Sequence, residues 1–216
     1  MEAIPLLPRI LVMAIPIIFA ITVHEFAHGW VASKLGDQTA RLLGRLTLNP
    51  IKHMDPIGTV ALPLFMILTI GIPFGWAKPV PVDWRNLHNP KKDMAWVAVA
   101  GPFANLLMLF AWSLVLVVNS AAGISSYGAL LLQQMAIVGI MINAVLIALN
   151  LLPLPPLDGS RIVAAFLSPS LSIQYQKLER WGLLILIVLM FTGILGRILQ
   201  PLVGIILSIV GVAVSV

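Results

Sequence analysis

The stretch from about Leu6 to Leu35 is apolar enough and long enough to cross a bilayer, yet it carries His24, Glu25 and His28 near its end. A transmembrane helix needs about 20 apolar residues. Ionisable side chains at membrane depth are costly, and by default they mark functional positions. On a helix, residues i and i+4 share a face, so His24 and His28 can reach one metal ion, with Glu25 beside them. The H-E-x-x-H spacing fits metal-dependent hydrolysis, in which the glutamate handles the proton of an activated water. A chain built this way is confined to helices, because lipid satisfies no open sheet edge. Pro16, inside the run, predicts a kink ahead of the histidines.

Further apolar runs cover Ile57–Trp76, Met94–Val118 and Ala129–Leu152, and the stretch Leu183–Val216 is interrupted by Gly193, Gly196, Arg197 and Pro201. The expectation is an all-α polytopic membrane protein with about five to six transmembrane helices. Residues 1–216 form one domain, with a core over 6–167 and a C-terminal helical hairpin over 181–216. Only 10% of the 216 residues are charged, against roughly 25% in a soluble domain. The net charge of +5 comes from basic loops between apolar runs, a membrane-orientation signal rather than a nucleic-acid surface. With no cysteine in the chain, a metal must be held by His, Asp or Glu. The N-terminal run lacks a basic start and a small-residue cleavage site, and reads as a retained span. The six tryptophans, mostly near predicted segment ends, read as interfacial anchors.

Lys34, Arg41, Arg45 and Lys52 precede the second run, and Lys78, Arg85, Lys91 and Lys92 follow it. Basic flanks on both sides place both ends in the cytoplasm, which a single crossing cannot do. The run also holds Gly58, Pro63, Gly71, Pro73 and Gly75. It is therefore expected to re-enter between the first core helix and the next. The His pair then falls in the cytoplasmic half of the bilayer, with His28 roughly 9 Å from the helix end at Lys34.

Two histidines leave a catalytic metal site short of one protein ligand. Asp37, Asp55, Asp83, Asp93, His53 and His88 lie in basic loops and read as solvated. Asp158 follows Pro153, Pro155 and Pro156, which forbid a regular helix and are expected to impose an extended stretch. It opens or precedes a short helix over 159–167, where it is either an N-cap or a metal ligand. Asn105 and Asn150 are uncharged polar residues on apolar runs. Each is either interhelical glue or a group that binds substrate or the oxyanion. Gly101 and Pro102 fit close helix packing and a bend.

Four separate stretches together resemble the site-2 protease family of intramembrane zinc metalloproteases. They are His24-Glu25-Phe26-Ala27-His28-Gly29; Gly75-Trp76-Ala77-Lys78-Pro79-Val80-Pro81-Val82; Ala100-Gly101-Pro102-Phe103-Ala104-Asn105; and Asn150-Leu151-Leu152-Pro153 continuing to Pro156-Leu157-Asp158-Gly159. The order and spacing are also similar to the family's. The resemblance implies one zinc ion held by His24, His28 and Asp158, with Glu25 as general base. It implies a core of three helices, the first, third and fourth runs, and substrates that are transmembrane segments of membrane proteins. It also implies a multi-pass protein of the cell membrane. The PDZ insert and the cystathionine-synthase-like domain that some members carry have no counterpart here. A metal transporter or channel, or an inactive scaffold, are the competing readings of the same residues.

Overall fold

A computed structural model describes residues 5–62, 65–66 and 75–211. Among these residues helices are the only regular secondary structure. Helix α1 spans Leu6–Lys34, with Pro16 inside it. It ends at Gly36, whose φ of +113° suits glycine alone, and a Cβ there would press on the Asn86 carbonyl. A short helix, α2 (Thr39–Leu42), follows. Helix α3 (Pro90–Ala121) starts with proline at its first position, and the Asp93 carboxylate accepts the Asn89 N–H at 2.7 Å. Helix α4 (Tyr127–Asn150) is capped by Ser126, whose hydroxyl accepts the Ala129 N–H. The chain then turns into α5 (Asp158–Phe166), α6 (Pro169–Gln176), α7 (Glu179–Phe191) and α8 (Ile194–Ile209).

Helices α1, α3 and α4 pack on one another and form the core. Their contact faces carry small residues, among them Ala20, Ala32, Ala100, Gly101, Ala104, Ala136 and Ala144. Small side chains let backbones approach where lipid supplies no hydrophobic drive between helices. In each of the three, only 28% to 33% of the most apolar stretch is buried in protein. The outward faces present large apolar side chains such as Phe19, Phe103, Phe110 and Leu114, which suits hydrocarbon and would not suit water. An apolar cluster of Leu109, Ile140, Ala144, Ile147 and Leu207 joins α3, α4 and α8.

Several expectations change here. Among the described residues three helices are long and apolar enough to cross a membrane, and a fourth crossing is reached only if α7 and α8 count as one span. The expected five to six are not seen. The C-terminal hairpin is a bend of 86° between α7 and α8, turned at Gly193 with φ +73°. Helix α8 packs back onto α4 rather than along α7. Much of the run expected to re-enter lies outside the described residues, but its two ends meet. The Trp76 N–H donates to the Gly58 carbonyl at 3.0 Å, and the Thr59 hydroxyl donates to the Trp76 carbonyl at 2.9 Å. A crossing would set those ends about 30 Å apart, so their contact fits a re-entrant segment.

The loops are also less solvated than expected. Asp37 is 0% exposed and His53 2%, and Asp93 is buried as well. Burial favours the neutral acid at Asp37, but hydrogen bonds from Thr39, Asn86 and the Asp83 amide outweigh it and hold the carboxyl below the usual carboxylate range. These loops fold back onto α1 and α3 instead of extending into water. The Pro153–Pro156 stretch is a pair of tight turns, not an extended segment: Leu154 N–H bonds to the Leu152 carbonyl and Leu157 N–H to the Leu154 carbonyl. Trp112 is no interfacial anchor. It sits in mid-helix against Gly139, where any Cβ would collide with the indole.

Candidate metal centre

Helix α1 delivers His24 and His28 to one face, where α3 receives them. Gly101 makes this approach possible, since a Cβ there would overlap both imidazoles. The His28 Nδ1–H donates to the Val97 carbonyl at 2.7 Å. His24 Nδ1 lies 2.6 Å from Asn105 Oδ1. The Asn105 amide nitrogen donates to Asn143 Oδ1 at 2.8 Å and to the Ala20 carbonyl at 3.3 Å. Its oxygen is therefore the acceptor, and His24 Nδ1 carries the proton. With Nδ1 engaged on each ring, both Nε2 atoms turn inward.

The third group comes from α5. Asp158 is its first residue, and the N-cap position before it is held by Leu157, with no side-chain cap hydrogen bond. Gly159 sets its position, because a Cβ there would strike the Leu151 and Leu152 carbonyls at the end of α4. Gly182 does the same for α7 against the Pro155 carbonyl. Asp158 Oδ2 lies 3.3 Å from each Nε2, and the two Nε2 atoms are 3.0 Å apart. That oxygen is buried, and among the described residues it accepts no hydrogen bond.

Three metal-capable donor atoms thus converge on one buried point, an arrangement that suits a cation. Donors 2.0–2.2 Å from a tetrahedral zinc lie about 3.3 Å from one another. The observed spacings match without rearrangement, and two imidazoles with one carboxylate leave a fourth position open, the pattern of catalytic zinc sites. His24, His28 and Asp158 form the one such metal-capable group among the described residues.

Glu25 is half-buried beside this point, and its Oε2 accepts the Val80 N–H at 2.7 Å. A cavity of about 340 Å³ opens onto the group and is bordered by Glu25, Val80, Ala98, Asn150 and Arg161. The two asparagines singled out from the sequence part company here. Asn150 faces the cavity, with its amide donating to the Leu146 carbonyl at 3.0 Å. Asn105 is 0% exposed and fully engaged between helices. Sequence reasoning missed Asn143, although a polar residue deep in the run 129–152 was a visible signal. It also missed the pairing of Arg161 with Glu179 at 2.7 Å, which only the return of α7 to the site creates. Asn105→Ala is expected to weaken metal affinity by about 10–100-fold while leaving all three donors in place, since the partner of a ligating histidine fixes its ring and tautomer. Metal titration of the purified variant checks this; unchanged affinity would reduce Asn105 to helix packing.

A helical membrane protein with a buried His–His–Asp group and a glutamate alongside is, by fold and site, a membrane metalloprotease. The model of peptidase family M50 matches residues 118–193, the part that contains Asp158. "Putative zinc metalloprotease YwhC" of Bacillus subtilis (strain 168) is 41% identical over 192 residues, covering 88% of this chain and 84% of that protein. "Putative zinc metalloprotease Rip2" of Mycolicibacterium smegmatis is 31% identical over 181 residues, 83% of this chain and 66% of that protein. "Stage IV sporulation protein FB" of Bacillus subtilis is 28% identical over 172 residues, 77% of this chain and 54% of that protein. No solved structure matches the chain significantly. The chain belongs to peptidase family M50, the site-2 protease family, and zinc is its cofactor.

Proposed function

We propose that this protein is an intramembrane zinc endopeptidase that cuts transmembrane segments of other membrane proteins. The observation that carries the reading is the meeting of His24 Nε2, His28 Nε2 and Asp158 Oδ2 within 4.8 Å of one another, beside Glu25 and a cavity at the edge of apolar helices. His24, His28 and Asp158 hold one zinc ion. When bound, zinc supplies a Lewis acid that makes water a nucleophile near neutral pH and polarises a peptide carbonyl.

The protein's own groups do the rest. Glu25 takes the proton of the attacking water and returns it to the departing amine nitrogen. The Val80 N–H holds one carboxylate oxygen and leaves the other for that exchange. Asn150, which borders the cavity, binds the carbonyl oxygen as negative charge develops there. A transmembrane helix hides its carbonyls in i to i−4 hydrogen bonds, so the substrate must unwind locally before it can be attacked. A cavity of this volume accepts a few unwound residues, not an intact helix about 10–12 Å across.

The membrane is the cell membrane, and the site lies in its cytoplasmic half. The basic loops and the contact between Gly58 and Trp76 support this orientation. Cysteines introduced into this cysteine-free chain at Arg41 and Arg85 would then react from the same, cytoplasmic face. A metal transporter would use the same ligand types but needs ligands along a pathway, and the group here is single among the described residues. The test is purified protein in liposomes containing a reporter transmembrane substrate, with zinc flux measured on the same vesicles. Cleavage that stops on chelation, without flux, supports the protease. Flux without cleavage would make the chain a transporter.

A further inference from the structure

Glu25 is held from outside its own helix by a strap, residues 76–83, that runs across the metal centre and contains no regular secondary structure. Each end is tied. Trp76 N–H bonds to the Gly58 carbonyl at 3.0 Å, and Asp83 N–H bonds to Asp37 Oδ2 at 2.9 Å. Between the ties, Pro79 and Pro81 have no N–H to offer, so the strap has few backbone donors with which to fix itself. Of those it has, Lys78 N–H bonds to the His53 carbonyl at 2.9 Å and Val80 N–H bonds to Glu25 at 2.7 Å.

The two carbonyls that precede the Val80 N–H are gripped by a side chain. Arg45 Nη2 donates to the Lys78 carbonyl at 3.0 Å and to the Pro79 carbonyl at 3.2 Å. The Pro79 carbonyl and the Val80 N–H belong to the same peptide group. A rigid planar amide that is held by its oxygen is thereby held by its N–H as well. Arg45 is half-buried, and among the described residues its Nε is a buried atom with no acceptor. A cation serving only the surface would not be drawn in at that cost.

We infer that Arg45 is a positioning residue for hydrolysis: by gripping the Pro79–Val80 peptide it aims the Val80 N–H at Glu25 and fixes the carboxylate relative to the metal centre. The inference rests on the assignment of Glu25 as general base. Arg45 itself touches neither the zinc ligands nor the cavity. A displacement of the base on the order of 1 Å is enough to cost about 100-fold in rate. An arrangement that matters only as the proton moves lowers kcat and leaves KM alone.

The experiment compares wild type, Arg45→Ala, Arg45→Lys and Glu25→Gln, each purified with zinc and assayed on the reporter transmembrane substrate. Arg45→Ala is expected to lose about 10–100-fold in kcat, with KM and zinc content unchanged. Arg45→Lys keeps one donor for the carbonyls and should recover part of the loss. A readout independent of activity comes from an Ala77→Cys substitution in the strap, in an otherwise cysteine-free chain. Its alkylation should accelerate several-fold when Arg45 is alanine and return toward the wild-type rate with lysine. A raised KM at constant kcat would make Arg45 a substrate contact, and loss of zinc would make it a fold residue; either overturns the inference. So would wild-type kcat in Arg45→Ala with Glu25→Gln inactive, which removes the clamp and leaves the protease reading standing. Cleavage by Glu25→Gln would instead remove the assignment on which both depend.

Discussion

Glu25→Gln is expected to lower peptide-bond hydrolysis by more than about 100-fold while leaving bound zinc at the wild-type level. Glutamine has the size and shape of glutamate, and its amide oxygen can still accept the Val80 N–H that reaches Glu25 at 2.7 Å. It cannot take a proton from water near neutral pH. General base catalysis of this kind contributes about 100- to 10,000-fold. His24 and His28 flank the position but are held through Val97 and Asn105 on α3, so their geometry does not depend on residue 25. The measurement pairs a cleavage assay with metal analysis on the same preparation. Substantial cleavage by the zinc-loaded variant would take Glu25 out of the mechanism.

Asp158→Ala is expected to lose both properties together. The substitution removes one of three protein donors and the negative charge among them, and it leaves two neutral imidazoles to hold a dication. The loss of affinity should exceed the roughly 10–100-fold that follows from disturbing a supporting residue, so purified protein should carry little zinc and show no activity at ordinary zinc levels. Since the N-cap position of α5 belongs to Leu157 and not to Asp158, α5 itself should persist, and circular dichroism should stay near wild type. Full zinc occupancy in this variant would mean that the carboxylate stands near the metal without ligating it. Between them the two variants separate holding the metal from using it.

Much of this is legible in the chain's residues alone, for specific physical reasons. The helical rise fixes the relation of His24 to His28, so their shared face follows from spacing alone. Asp158 stands out because prolines precede it and a glycine follows, and Gly159 proves to be the point where α5 touches the end of α4. Gly101 and Pro102 are expected to serve close packing, and Gly101 does so against the two imidazoles. Local pattern says less where tertiary contact decides. Asp37 and His53 lie in connections of basic composition and Asp93 in the first turn of α3, yet all three are buried. Asp37 finds partners far away in sequence, the Asp83 amide and the Asn86 side chain. The hold of Val80 on Glu25 joins positions that no periodicity relates. The bend between α7 and α8 rests on one left-handed glycine, which composition cannot tell from the tight turn of a hairpin.

The three donor atoms also arrive at very different times. His24 and His28 sit in α1, whereas Asp158 follows only after α3 and α4 have been made. Until α5 docks beside α1, the histidines and Glu25 are chemically present but the site lacks its third donor. A nascent chain in a crowded membrane therefore carries its proteolytic residues in a harmless form. Docking of α5 beside α1 is the folding step that brings the three donors together.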